Sequence, residues 1–167
     1  MSPLKRSILP CSLTFLNLLC GSLSVYFSIR GYYDAAALSI VLAVFFDSID
    51  GKVARLVGMV SPIGAQLDSI SDAISFGVAP FVFIISRFPQ DIFLLACGLF
   101  FVACGVFRLA RFNVLPKTSG FIGLPITTMG LLFPFLYVTG AGALLYTMTF
   151  LVAGGLMISR LRIPRIR

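Results

Sequence analysis

Forty-two consecutive residues, 118 to 159, carry no charged side chain. A soluble domain has about a quarter of its residues charged, so a run of this length cannot be its surface. At about 20 residues per bilayer crossing, the run suits two helices rather than one. Residues 7–29 give another 23 positions without a charge. Composition agrees, with 59% hydrophobic and 11% charged residues and a mean hydropathy of +1.04. Such hydrophobicity also excludes a disordered chain. The expected class is an all-α integral membrane protein, with one membrane domain over residues 1–167.

Six transmembrane helices are expected. The first covers about residues 9–29 and follows a short N-terminal surface segment that bears Lys5 and Arg6. A secretory signal opens in the same way, but this apolar run is longer than a signal core. The polar turn Arg30-Gly31-Tyr32-Tyr33-Asp34 ends it. The second helix starts at Ala35 and continues through Arg55, with Gly58 and Ser61-Pro62 marking its end. The third runs from Pro62 or Ile63 to about Ser86, and the fourth from about 91 to 112. Gly140-Ala141-Gly142 divides the last run into the fifth and sixth.

Eleven of the thirteen Lys and Arg residues fall on one side of this arrangement, at the N-terminus, at 52–55, at 108–117 and in the tail. Only Arg30 and Arg87 fall on the other. The positive-inside rule then puts both termini and the 47–72 region at the cytoplasmic face of the cell membrane. The net charge of +7 is read as membrane-facing loops, not as a nucleic-acid surface.

The acidic residues are more selective. The chain has no Glu and no His, and four of its six Asp lie between residues 47 and 72. An Asp inside a membrane helix costs roughly 2.5–3.5 kcal/mol on insertion scales. Four uncompensated ones cost on the order of 10 kcal/mol, so they need water, partners or cations. Asp47 and Asp50 are three apart and share a helix face; Asp68 and Asp72 are four apart and share another. A turn between Gly58 and Pro62 would set the two pairs across one gap. Carboxylates without His or Cys form a hard oxygen site that suits Mg²⁺, Mn²⁺ or Ca²⁺ rather than zinc. Gly51 and Ala54 keep the neighbouring surface low, Arg55 can pair with a phosphate, and Gly64 opens the facing helix. One such Asp could be a helix-interface hydrogen bonder or salt-bridge partner; four paired on facing helices argue for a site. Cys11, Cys20, Cys97 and Cys104 form no CxxC pair and read as inert buried thiols.

These residues stand in the spacing D-x2-D-G-x2-A-R-x8-G-x3-D-x3-D, eight fixed positions in 26. The pattern resembles the signature of the CDP-alcohol phosphotransferase family at each fixed position, and the family's six-helix architecture is similar to the arrangement above. Four further segments, Leu13 to Gly21, Ser71 to Pro80, Arg108 to Asn113 and Gly120 to Pro125, resemble the family's serine-accepting branch, the integral-membrane phosphatidylserine synthases. The resemblance implies metal-dependent transfer of a phosphatidyl group from CDP-diacylglycerol, or an ether-lipid analogue, to the L-serine hydroxyl, with release of CMP. It implies Asp47, Asp50 and Asp68 as ligands of a divalent metal, Mg²⁺ or Mn²⁺. Asp72 would be the catalytic base and would also touch the metal. Gly51, Ala54, Arg55 and Ser61 would hold the CDP-lipid, with Asn17 as a further polar contact, and a homodimer is implied.

The serine carboxylate calls for a cytoplasmic cation among Arg108, Arg111 and Lys117. Arg111 with Asn113 is the expected pair, because both lie in a resembling segment. Other family members, taking glycerol phosphate, inositol or inositol phosphate, are the alternative. A membrane prenyltransferase also uses Asp-rich motifs, but its Asn-Asp-led motifs are missing from this sequence. A cation transporter with intramembrane Asp would not need the spacing of Gly51, Ala54 and Arg55.

Overall fold

The computed structural model describes residues 3–57, 62–114 and 125–159, and leaves out the side chains of 3–11, 54–57 and 62. The helices are α1 Pro3–Ile29, α2 Tyr33–Val57, α3 Pro62–Asp72, α4 Ala79–Arg87, α5 Ile92–Val114, α6 Met129–Val138 and α7 Ala143–Ile158. A π-helical turn, Ala73–Val78, joins α3 to α4, and a 3-10 turn, Ile126–Thr128, leads into α6. Among the described residues there is no strand, and the helices form six rods. The basic segment expected ahead of the first crossing belongs to the same helix as that crossing.

Among the described residues, three helices are long and apolar enough to cross a bilayer: Ser12–Ile29 in α1, Ile63–Arg87 through α3 and α4, and Ile92–Val114 as α5. Ile126–Val138 and Ala143–Ile158 are apolar but shorter. The rods expose large apolar side chains on their outer faces, among them Phe15, Leu38, Phe45, Phe107, Phe135 and Leu144. Water would not tolerate a surface of this kind, and lipid would. The chain is a multi-pass membrane protein.

Helix ends follow local chemistry. Gly31 and Gly140 take φ of +78° and +73°, the left-handed conformation that closes a helix C-terminus. After α1, Tyr32 N–H donates to the Phe27 carbonyl and Gly31 N–H to that of Ser28. Ala141 and Gly140 repeat the pattern on Leu136 and Tyr137 after α6, at the hairpin expected from the sequence. Asp91 caps α5, its Oδ1 accepting the Leu94 N–H at 2.9 Å. The π turn lies just ahead of Pro80, which has no N–H to give and whose ring crowds the preceding turn. Widening the ladder there, with Ala79 N–H reaching the Ile74 carbonyl, keeps α3 and α4 one rod.

The core is aromatic. Phe101 of α5, Phe133 of α6 and Phe150 of α7 meet with ring centroids 4.8–5.6 Å apart, and Tyr146 stacks on Phe133. Such pairs contribute beyond their buried area. The rod α1 packs along α2, and α5 along α7. Cys97 and Cys104 are buried and unpaired, and Cys20 is unpaired and half-buried.

Candidate active site

Two helices bring the carboxylates together. Asp47 and Asp50 lie on α2 and Asp68 on α3, and one carboxylate oxygen from each falls within 4.8 Å of the others. Asp72, at the last position of α3, is 8% exposed, and the charges of Asp47, Asp68 and Asp50 act on its carboxyl. The i, i+3 and i, i+4 spacings thus do what a helix requires of them: each pair faces one gap. Three half-buried or buried carboxylates with converging oxygens are a hard donor set, and their chemistry fits a hard divalent cation.

The back wall comes from α1. Thr14 Oγ1 donates to Asp50 Oδ2 at 3.0 Å, and Asn17 Nδ2 donates to Asp72 Oδ1 at 3.4 Å. One turn separates the two residues, so they share a face. Their backbone carbonyls are used as well: Ser71 Oγ donates to the Thr14 carbonyl at 3.2 Å and Ser75 Oγ to that of Asn17 at 3.0 Å. All four contacts lie in the buried interior, where water cannot substitute for a lost partner. Gly21 makes the approach possible. A Cβ there would collide with Ser75 Oγ and lie 2.7 Å from Ser75 Cα. The π turn that carries Ser75 and the helix that carries Thr14 and Asn17 are therefore in backbone contact.

The front of the site is α5. Arg108 is 7% exposed, and the charges of Arg111 and Asp72 both act on it. Arg111 Nη1 donates to the Ile158 carbonyl at 3.4 Å, and Asn113 Nδ2 donates to Ser69 Oγ at 3.0 Å. The second bond ties the end of α5 to α3, next to Asp68.

Placement of the expected residues is uneven. Asp47, Asp50, Asp68 and Asp72 are together. Asn17 turns its amide to Asp72, and its Oδ1 is buried without a partner among the described residues. Gly51 follows Asp50 on α2, and Gly64 precedes Asp68 on α3. The side chains of Ala54 and Arg55 lie outside the described residues, as do Ser61, Lys117, residues 120–124 and the tail arginines. The sequence reading missed Thr14, Ser71 and Ser75. Their signal was a polar residue repeated at three or four positions in otherwise apolar helix, Thr14 with Asn17 and Ser71 with Ser75.

The sequence profile of the CDP-alcohol phosphatidyltransferase family matches residues 7–159. This chain belongs to that family. Its relatives include an archaetidylserine synthase of Methanothermobacter thermautotrophicus, 41% identical over 95% of this chain and 70% of the relative. A CDP-diacylglycerol–serine O-phosphatidyltransferase of Methanocaldococcus jannaschii is 39% identical over 91% of this chain and 71% of its own. The Bacillus subtilis protein of the same name is 32% identical, with 95% and 91% covered.

Proposed function

We propose that this protein transfers a phosphatidyl-type group from a CDP-activated glycerolipid to the hydroxyl of L-serine, releasing CMP. The observation that carries the reading is the convergence of Asp47, Asp50 and Asp68 beside the buried Asp72, in a chain of this family. Serine as acceptor is supported by relatives whose names specify serine products or substrates. One of those names specifies an archaetidyl product and two a diacylglycerol donor, so the lipid tails are ether- or ester-linked.

Asp47, Asp50, Asp68 and one oxygen of Asp72 would hold the divalent metal, Mg²⁺ or Mn²⁺. When bound, the metal supplies charge stabilisation to the pyrophosphate and the CMP leaving group. Asp72 takes the proton of the serine hydroxyl; with no His in the chain, a carboxylate is the base at hand. Asn17 holds Asp72 in place for this through its Nδ2. The serine oxygen forms a bond to the lipid-side phosphorus as the bond to the CMP oxygen breaks. No side chain serves as a covalent carrier in this reading. Gly51, Ala54, Arg55 and Ser61 receive the CDP moiety, and the unpartnered Asn17 Oδ1 is free to accept from it. Arg111 and Asn113 belong to the serine pocket.

All six rods cross the membrane in this reading, as one domain. The site and both termini face the cytoplasm, on the distribution of Lys and Arg. The assembly is a homodimer, as the family resemblance implies. The test is CMP release by purified protein in detergent with CDP-diacylglycerol and Mg²⁺ or Mn²⁺. Serine, glycerol 3-phosphate, inositol and inositol phosphate are offered separately. Release with serine alone is expected. Release with another acceptor would overturn the serine assignment and leave the metal site standing.

A further inference from the structure

We infer that the rod formed by α3 and α4 is jointed at its π turn, with Gly77 as the pivot, and that this joint lets α3 close Asp68 and Asp72 onto a divalent cation shared with Asp47 and Asp50. The inference rests on the metal-site reading above and deepens it.

Glycine inside a helix is disfavoured, so its presence asks for a reason. For several glycines here the reason is steric: a Cβ on Gly21, Gly98, Gly105, Gly130 or Gly154 would lie under 3.0 Å from a neighbouring side chain. For Gly31 and Gly140 it is a positive φ. Gly77 has neither. It is buried in the π turn without a positive φ, and a Cβ there would meet only Ile126 Cδ1, at 3.7 Å, an ordinary van der Waals distance. What glycine alone supplies at such a place is a backbone free to change its dihedral angles.

The helical ladder around Gly77 is loose as well. Ala79 N–H reaches back to the Ile74 carbonyl, and Pro80 brings no N–H to the next step. On either side the rod is held firmly, and by different neighbours. Ser71 and Ser75 donate to the Thr14 and Asn17 carbonyls of α1. At the far end, Tyr33 of α2 donates its hydroxyl to the Ser86 carbonyl at 2.7 Å. Arg87 lies over the Tyr137 ring of α6, 4.6 Å from its centroid, and its Nη1 donates to the Tyr146 hydroxyl of α7 at 3.3 Å. Gly77 is the loose link between two anchored halves.

Only the first half carries carboxylates of the site. Four carboxylates repel one another while no cation is bound, and a hard cation draws its oxygen ligands into short, regular coordination. Asp47 and Asp50 belong to α2, which packs against α4 and α6 of the clamped half. Asp68 and Asp72 belong to α3, so the two pairs close on each other by movement of α3 against that half. Gly77 is a positioning residue that acts through Asp68 and Asp72.

The experiment titrates Mn²⁺ into metal-stripped protein in detergent and follows free Mn²⁺ by its paramagnetic resonance signal. Wild type is compared with Gly77→Ala, with the double variant Gly77→Ala and Pro80→Ala, and with Gly155→Ala. Unfolding temperatures of the metal-free proteins are measured alongside. Alanine restricts the backbone that glycine leaves free, so the Mn²⁺ affinity of Gly77→Ala should fall about two- to fivefold. An N–H restored at position 80 stiffens the ladder further, and the double variant should lose about tenfold or more. Metal-free Gly77→Ala should unfold no lower than wild type, because its Cβ fits. Gly155→Ala is the control: its Cβ is exposed, meets nothing within 4 Å, and should leave the affinity unchanged. Equal Mn²⁺ affinity in wild type and Gly77→Ala would overturn the inference. Weaker Mn²⁺ binding by Gly77→Ala together with a lower unfolding temperature of its metal-free form would also overturn it, and assign Gly77 to packing. Wild type that binds no Mn²⁺ would overturn the metal site itself, before any variant is compared.

Discussion

Thr14→Val tests whether α1 shapes the metal site from behind. Valine is close to isosteric with threonine and removes one donor, the Oγ1–H that lies 3.0 Å from Asp50 Oδ2. Both residues are buried, Thr14 at 6% and Asp50 at 5% exposure, so water cannot replace the lost partner. A hydrogen bond to a charged group in such a place is worth about 1.5–3 kcal/mol. At about 1.4 kcal/mol per factor of ten, that is roughly a 10- to 100-fold change in the affinity of the site for its cation. The range agrees with the roughly 10- to 100-fold effect typical of groups that orient metal ligands. The assay is titration of Mn²⁺ into metal-stripped protein, following free Mn²⁺ by its paramagnetic resonance signal. Ser22→Ala is the control, because Ser22 Oγ is exposed and donates to the Leu18 carbonyl of its own helix. An Mn²⁺ affinity of Thr14→Val indistinguishable from that of Ser22→Ala would refute the argument that Thr14 holds Asp50.

Three further outcomes are expected. Asp68→Asn should weaken Mn²⁺ and CDP-lipid binding by at least about 100-fold, beyond what loss of an orienting group does; tight binding of both would remove Asp68 from the ligand set. Asp72→Asn should lower turnover by about 10²–10⁴-fold, the usual contribution of a general base, while most CDP-lipid binding survives. Near-normal turnover would move the base elsewhere. Gly21→Ala places a Cβ 2.7 Å from Ser75 Cα, so α1 must back away from the π turn. Overpacking of this kind costs about 1–3 kcal/mol, and both the unfolding temperature in detergent and CMP release should fall. Gly155→Ala, whose Cβ meets nothing within 4 Å, should change neither; a Gly21→Ala protein that behaves like it would contradict the close approach.

The rods and the carboxylates were legible in the sequence for the same reason. Both are periodic features, charge-free runs of about one crossing each and Asp pairs at helical spacing. Helix ends were legible where a glycine had to take a left-handed conformation, at Gly31 and Gly140. The interior of the third rod was less so. Pro80 announces a disturbed ladder, but a π turn, a kink and a break all answer to the same residue. The start of α6 could not be set from the sequence, because a charge-free run does not mark where a helix begins. Extended backbone at Pro125, with φ −61° and ψ 135°, and one 3-10 turn precede it. Arg108 illustrates a different limit. Counting Lys and Arg by side treats it as equal to Arg111, whereas the fold buries the first and leaves the second at the rim. Thr14 was passed over because a single hydroxyl in an apolar helix commonly bonds to its own backbone, as Ser22, Ser28 and Ser39 do here.

In the proposed reaction, the carboxylates of α2 and α3 form a metal-dependent site for transfer of a phosphatidyl group to serine. The most direct measurement strips the purified protein of metal and follows CMP and lipid product as Mn²⁺ or Mg²⁺ is returned, with CDP-diacylglycerol and serine present. No CMP is expected without metal, with recovery on addition of either cation and one phosphatidylserine formed for each CMP released. CMP release that persists in the stripped protein, or that returns with metal and leaves serine unused, would contradict it.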